Sequence, residues 1–258
     1  MRGNPVKERL AAGGKAFGTM VFELTGPGLP AILADAGAEY VLYDMEHSGL
    51  SMEEMKAQFA YCRGLDIVPL VRPPGKQYNL LSLLLDLGAM GFMLPMVESA
   101  AEAAEIVSWT RYPPNGVRGA MFGGAHDDYA AGDVPEKMRI ANERTFVMPL
   151  IETAKGIENV EEILAVPGID AAHLGHFDLS LSMGMPGEFE RPEFQAAIDK
   201  LLAACERNGK PAGCMVMDVD SGRAWMERGF RMVSYSGDIW LVQEGLRAGI
   251  QGLKGAGA

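Results

Sequence analysis

The stretch Phe146-Val147-Met148-Pro149-Leu150-Ile151 is an unbroken apolar run that ends at the carboxylate of Glu152. Three further apolar runs also end in charged or ionisable residues: Val41–Tyr43 before Asp44 to His47, Ile67–Val71 before Arg72, and Ala171–Gly175 before His176 to Asp178. Apolar runs of this length, separated by helical patterns, are typical of buried parallel strands. Ligands of parallel α/β proteins bind at the carboxyl ends of the strands. The sequence therefore predicts a site that combines carboxylates, a histidine and an arginine at one end of one sheet.

Strand and helix patterns alternate along the whole chain. The predicted strands are Phe17–Phe22, Tyr40–Asp44, Ile67–Arg72, Gly91–Leu94, Thr145–Ile151, Ala171–Leu174, Ala212–Val216 and Met232–Ser236. The predicted helices are Leu29–Ala36, Met52–Arg63, Tyr78–Asp86, Ala100–Arg111, Ile157–Ala165, Glu193–Asn208 and Ser221–Arg228. Eight strand-then-helix units favour one closed (β/α)8 TIM barrel domain over residues 1–258, with an open doubly wound sheet as the alternative.

The composition limits which binding partners and which cellular compartment are expected for the protein. A net charge of −11 over 258 residues argues against nucleic acid or an anionic membrane as a partner. The N-terminus lacks the apolar core of a signal peptide, and no apolar stretch is long enough to span a bilayer. Three cysteines without a CxxC pair fit buried thiols in a reducing compartment. We therefore expect a cytoplasmic protein that has neither a nucleic acid nor a membrane as its partner.

Glu152 and Asp178 are the candidate metal ligands. They follow consecutive strands, which lie about 4.8 Å apart in a sheet, so both carboxylates can reach one cation. Oxygen ligands favour a hard divalent ion such as Mg²⁺ or Mn²⁺. Both residues also precede helix-like segments, so helix capping is the competing interpretation.

Arg72 and His47 are the candidate groups for anion binding and proton transfer. Pro73 restricts Arg72 to extended geometry at the strand exit, where a guanidinium suits a carboxylate, although an ordinary structural ion pair is the alternative. Histidine is the usual general base near neutral pH, and Asp44 or Asp86 could orient His47; a lone histidine is more often structural. Glycine and free amides around Gly175, beside the candidate ligand, could bind an anionic oxygen.

Two regions interrupt the alternation. Residues 112–142 form a long connection, a length typical of functional loops or lids, in which His126, Asp127 and Asp128 are a weaker second candidate for metal ligands. The segment Asp238–Gly252 has the pattern of a final amphipathic helix, whose apolar face needs a surface to pack on, such as a neighbouring subunit.

Taken in order, seven segments make the chain similar to the HpcH/HpaI family of class II pyruvate aldolases. They span nearly the whole sequence: Tyr43–His47, Leu70–Pro73, Leu84–Ala89, Pro95–Val97, Arg111–Gly119, Ile151–Thr153 and Gly175–Ser180. The resemblance implies a (β/α)8 barrel with a swapped terminal helix, assembled as a hexamer (a trimer of dimers). It also implies a divalent metal (Mg²⁺, Mn²⁺ or Co²⁺) and the cleavage or formation of 4-hydroxy-2-oxo acids, from a pyruvate or hydroxypyruvate enolate and an aldehyde.

The resemblance also implies roles for individual residues. Glu152 and Asp178 match the metal ligands, Arg72 the arginine that contacts the pyruvate oxygens and stabilises the enolate, and His47 the acid/base histidine. Asp44 and Asp86 match acidic positions associated with that histidine or with the subunit interface. The backbone around Gly175, His176 and Phe177 matches the pocket for the pyruvate carboxylate.

The chain departs from the family pattern at three places. His176 stands where proline is frequent, Leu150 where glutamine is frequent, and residues 120–129 replace a familiar segment. These departures leave the substrate open. Related carbon–carbon bond-forming enzymes, similar to siderophore-type citrate synthases or macrophomate synthase, and a non-catalytic 2-oxo acid binding protein remain the alternatives.

Overall fold

The computed structural model describes residues 1–255, which fold into a barrel of eight parallel strands. The strands are β1 Ala16–Val21, β2 Tyr40–Asp44, β3 Val68–Arg72, β4 Gly91–Leu94, β5 Phe146–Ile151, β6 Ala172–Leu174, β7 Ala212–Val216 and β8 Phe230–Gly237. Each strand pairs in parallel with the next, and β1 pairs with β8, so the sheet closes. The predicted (β/α)8 barrel is thereby confirmed, and the open-sheet alternative is excluded.

Helices connect the strands in the order predicted. Those described are α1 Pro5–Ala11, α2 Leu29–Asp35, α3 Met52–Tyr61, α4 Tyr78–Leu87, α5 Ala100–Thr110, α6 Val134–Arg144, α7 Ala154–Glu158, α8 Val160–Ala165, α9 His176–Ser182, α10 Pro192–Arg207, α11 Val219–Arg228 and α12 Asp238–Gly255. The structure adds α1, α6 and α9 to the helices of the predicted alternation and divides one of them. The predicted helix Ile157–Ala165 is two short helices, because Thr153 caps an earlier start and the chain breaks at Asn159. The N-terminal α1, capped by Asn4, has no counterpart in the predicted alternation.

Two apolar layers hold the barrel together. The interior of the barrel is filled by large side chains such as Tyr40, Leu42, Phe146 and Met232, which are fully buried. A larger layer lies between the outer faces of the strands and the surrounding helices. Because side chains alternate along a strand, each strand supplies both layers, and the last inward position of each strand lies at the carboxyl rim.

The last helix has one buried attachment point. Asp238 is the buried residue of α12, and its carboxylate accepts hydrogen bonds from the amides of Phe22, Glu23 and Leu24. Beyond it, the helix exposes an apolar series consisting of Trp240, Val242, Leu246, Ile250 and Leu253. The predicted amphipathic helix is present, and its packing on a neighbouring subunit stays a prediction.

The three cysteines, Cys62, Cys205 and Cys214, are free and buried, as expected. Among residues 1–255, no helix combines the length and apolar character needed to cross a membrane.

Candidate active site

Asp44 and Arg72 form the rigid part of the carboxyl rim. They end β2 and β3 as partners in register, and both are buried. The Arg72 Nε donates to Asp44 Oδ1 at 2.9 Å, and its Nη2 donates to the other carboxylate oxygen. Burial lowers the pKa of Arg72, but hydrogen bonding and the charge of Asp44 outweigh burial and leave this pKa raised. The guanidinium is therefore a fixed positive charge, and its Nη1 group is not used by this pair.

Asp44 also shapes the turn that carries His47. Its Oδ1 accepts hydrogen bonds from the backbone amides of Glu46 at 2.9 Å and His47 at 3.4 Å. Asp44 thus orients the backbone of His47 rather than its imidazole. The His47 side chain is 60% exposed, with Nε2 at 3.8 Å from Glu46 Oε2. The histidine therefore sits at the solvent side of the rim, where it can exchange protons.

Glu46 is a site residue that the sequence reasoning missed. Its Oε2 lies 3.3 Å from Arg72 Nε and 3.8 Å from His47 Nε2, yet is buried without a hydrogen bond among the described residues. Burial raises the pKa of Glu46, while Arg72 and His47 oppose this effect and Asp44 and Asp178 add to it. Its position inside the motif Asp44–His47 was the signal available in the sequence.

Glu152 follows β5 and is buried against the loop after β4. Its Oε1 accepts a hydrogen bond of 2.7 Å from the amide of Met96, a non-glycine residue held at φ 53°. Burial raises the pKa of Glu152 to about 7; the Met96 amide and Arg72 act against burial, and the negative charges of Glu46 and Asp178 act with it. A Cβ at Gly175 would lie 2.7 Å from Glu152 Oε2, so only glycine leaves room for this carboxylate.

Asp178 lies in the first turn of α9, opposite Glu152. Its side chain is exposed, and its charge acts on both Glu152 and Glu46. Glu46, Glu152 and Asp178 therefore lie at the same rim as the Asp44–Arg72 pair, an excess of negative charge that a divalent cation would neutralise. Within residues 1–255, no group of three His, Cys, Asp or Glu side chains is arranged to hold a metal. Glu152 and Asp178 therefore fit a hard cation that is held by two protein carboxylates. Its other coordination positions would be left for water and substrate oxygens.

The residues after β6 complete the pocket. Gly175 precedes α9, whose first amides have no acceptor within the helix and point out of its N-terminus. The His176 ring packs against Phe177, with ring centroids 4.6 Å apart, and against Phe189 and Trp225. Phe177 is exposed at the rim. A cavity of about 100 Å³ extends beneath these residues into the barrel, next to Arg72 and Glu152.

Two predicted sites lie elsewhere in this chain. Asp86 is in the last turn of α4, where its carboxylate accepts a hydrogen bond of 2.7 Å from Arg118. In the part of the chain that the structure describes, Asp86 therefore pairs with Arg118 and not with His47. In the long loop, Asp127 pairs with Lys137 at 2.7 Å, and the segment does not gather a metal-binding set among the described residues.

The chain is similar over nearly its full length to proteins of known class. The family model for HpcH/HpaI aldolase/citrate lyase matches residues 19–244. A hydroxypyruvate/pyruvate aldolase from Roseovarius nubinhibens is 32% identical over 95% of this chain and 94% of its own. A 5-keto-4-deoxy-D-glucarate aldolase from Klebsiella pneumoniae is 31% identical over 84% of each chain. The crystal structure of an HpcH/HpaI aldolase from Desulfitobacterium hafniense superposes with a TM-score of 0.91 at 32% identity, over 96% of both chains.

The matched residues include Asp44, Arg72, Glu152 and Asp178, and the named relatives are aldolases, which are carbon–carbon lyases. The chain belongs to the HpcH/HpaI aldolase/citrate lyase family.

Proposed function

We propose that the protein is a divalent-cation-dependent aldolase that cleaves and forms 4-hydroxy-2-oxo acids. The nucleophilic product is pyruvate or hydroxypyruvate, and the second product is an aldehyde. The observation that carries the proposal is the buried Glu152 carboxylate, which faces Asp178 and Arg72 across a small cavity at the carboxyl rim. The names of the relatives support the reaction class.

Glu152 and Asp178 would hold the cation, and Mg²⁺, Mn²⁺ and Co²⁺ are the candidates. When bound, such a cation polarises the carbonyl group of a 2-oxo acid. The excess of negative charge around Glu152 favours this occupant, because a cation next to it relieves the repulsion from Glu46 and Asp178.

The remaining roles belong to this chain's own groups. The Nη1 group of Arg72, which the pair with Asp44 does not use, would stabilise the negative charge that develops on the substrate oxygen. The first amides of α9 would bind the substrate carboxylate, because a helix N-terminus offers unpaired donors.

In cleavage, His47 takes the proton from the 4-hydroxyl group. The bond between carbons 3 and 4 then breaks, the aldehyde leaves with carbon 4, and the electron pair remains on the three-carbon fragment. A proton added to carbon 3 completes the 2-oxo acid product. Aldol addition runs through the same steps in reverse. The exposure of His47 lets its proton exchange with solvent between turnovers.

The proposal is tested with protein treated with EDTA and then supplied with one cation at a time. A panel of 4-hydroxy-2-oxo acids is scored by release of pyruvate or hydroxypyruvate. We expect Glu152→Gln and Asp178→Asn to lose at least a hundredfold in activity and to lose cation binding by calorimetry, and Glu161→Gln, an exposed carboxylate on α8, to change neither. Full cleavage in EDTA would overturn the metal-dependent mechanism. Binding of pyruvate without cleavage of any substrate would favour a binding protein.

We also propose that the apolar face of α12 packs against a second copy of this chain, within a hexamer built from three dimers. Leu246 and Leu253 are the most exposed apolar residues of that face. In sedimentation measurements we expect Leu246→Glu to reduce the assembly, and Glu244→Gln, a neighbouring polar change, to leave it intact. A monomeric unaltered protein would contradict this proposal.

A further inference from the structure

His173 is a buried titratable group that the proposed chemistry does not use. It lies in the middle of β6 and is 2% exposed. Neither ring nitrogen has a hydrogen-bond partner among the described residues, and its approach to the Leu174 backbone does not reach hydrogen-bond geometry. A buried polar group without a hydrogen bond destabilises the fold, so this imidazole points to a partner that binds during function.

The neighbouring strands leave space for this imidazole. His173 is in register with Leu150 on β5 and with Gly213 on β7. A Cβ at Gly213 would lie 3.0 Å from His173 Cδ2, closer than ordinary packing allows. The imidazole of His173 therefore occupies space that a side chain at position 213 of β7 would fill. The side chain of Leu150, its neighbour on β5, has no polar atom that could bond to the ring.

His173 also borders the cavity beneath the rim. The cavity of about 100 Å³ is shared by His173, Arg72 and Glu152. A strand advances about 3.3 Å per residue, so His173 on β6 lies roughly 7 Å deeper than Gly175, which follows the strand two residues later. The rest of the deep wall is apolar and rich in flexible methionines, Met20, Met93 and Met215, whose side chains can shift to bring the ring nitrogens into contact with a ligand.

The protonation state selects the kind of partner. Burial, with the positive charge of Arg72 and the proximity of His176, lowers the pKa of His173 to about 3. The imidazole is therefore neutral near pH 7, with one nitrogen donating and the other accepting. A hydroxyl group also donates and accepts, and so matches a neutral imidazole better than a carboxylate does.

The polar groups of the three-carbon substrate leave one hydroxyl to assign. In the proposed function, the amides of α9 take the carboxylate, and the cation and Arg72 take the carbonyl oxygen. Pyruvate has no further group that can form a hydrogen bond, whereas hydroxypyruvate has a hydroxyl on carbon 3. We propose that His173 is a specificity-determining residue that binds this 3-hydroxyl group, so that the site prefers hydroxypyruvate to pyruvate as the nucleophile. This inference rests on the proposed aldolase function.

The test compares two nucleophiles in one reaction. The kcat/KM values for hydroxypyruvate and pyruvate are measured in aldol addition to glycolaldehyde, and binding of each acid is measured by calorimetry. We expect His173→Phe, which keeps a planar ring but removes both nitrogens, to lower the hydroxypyruvate-to-pyruvate ratio about five- to tenfold. His173→Gln, which keeps a donor and an acceptor, should restore most of the ratio.

Controls separate this role from a structural one. Tyr40→Phe removes a buried hydroxyl in the barrel that bonds to Ser234 at 3.0 Å, and it should leave the ratio unchanged. If His173→Phe does not fold, the smaller His173→Leu replaces it. An unchanged ratio and unchanged hydroxypyruvate affinity in a folded nitrogen-free variant would overturn the inference. Failure of the unaltered protein to use either nucleophile would instead overturn the proposed function.

Discussion

Asp44 and Arg72 stand opposite each other in register at the ends of β2 and β3, and their side chains form a buried ion pair with two hydrogen bonds. The pair holds the guanidinium at the rim while Asp44 also caps the turn that leads to His47. One aspartate thus positions both the arginine and the backbone of the histidine.

The burial of the Asp44–Arg72 pair predicts that removing one partner lowers the stability of the protein strongly. Asp44→Ala leaves a buried guanidinium without its main partner, and we expect the free energy of unfolding to fall by about 3–5 kcal/mol in urea titrations. The matched control is Arg139→Ala, which breaks exposed pairs with Glu136 and Glu143 and should cost less than about 1 kcal/mol. Equal losses in the two variants would show that the buried pair has no special role.

Gly175 predicts a specific effect on the cation site. A Cβ at this position would lie 2.6 Å from Glu152 Cβ and 2.7 Å from Glu152 Oε2, so Gly175→Ala must displace the carboxylate. We expect cation affinity to fall at least tenfold by calorimetry, with activity falling in parallel. Gly245→Ala, where an added Cβ meets nothing within 4 Å, should leave affinity unchanged. Unaltered cation binding in Gly175→Ala would contradict the assigned position of Glu152.

The position of Glu46 predicts that this third carboxylate supports cation binding by Glu152 and Asp178. Its charge acts on Glu152, and its Oε2 is buried near Arg72 and His47. We expect Glu46→Gln to weaken cation binding about 10- to 100-fold, as changes to groups that support metal ligands do, and less than Glu152→Gln does. Glu98→Gln, a rim carboxylate that pairs with Lys155, serves as the control. A loss in Glu46→Gln as complete as in Glu152→Gln would make Glu46 a direct ligand instead.

The raised pKa of Glu152 predicts a pH-dependent stability. The folded value is about 7 and the ordinary value is 4.5, so between them the folded protein binds more protons than the unfolded chain. This contribution is therefore complete below about pH 4.5 and is lost as pH rises through about 7. In EDTA, unaltered protein should lose on the order of 3 kcal/mol more than Glu152→Gln across this range.

Urea titrations at pH 5 and pH 8 measure the difference between these two proteins. Saturating Mg²⁺ or Mn²⁺ should remove it, because a bound cation keeps the carboxylate ionised. Identical pH slopes for the two proteins in EDTA would contradict the effect of burial on Glu152.

Local patterns were enough to predict most of the fold. The apolar runs ending at Asp44, Arg72 and Glu152 identified three strands and the rim residues that follow them. The Ser51–Glu54 capping box that begins α3 is a local pattern of the same kind and is also readable in a sequence, because both of its hydrogen bonds join residues three apart. The division of the predicted helix Ile157–Ala165 was not, because the preferences of Thr153 and Asn159 are weak until the neighbouring strands set the path of the chain.

The sequence by itself determined the barrel, the order of its strands and the motifs at its rim, because periodicity and strand-end chemistry are local properties. Only the tertiary structure decided which of those groups meet. Glu46 belongs to the candidate site because it lies close to Arg72 and His47. Asp86 does not, because it pairs with Arg118 instead. His173, a residue with no motif, became significant only when strand register set it between Leu150 and Gly213. The physical reason is that burial and pairing depend on residues far apart in sequence, which closure of the barrel alone brings together.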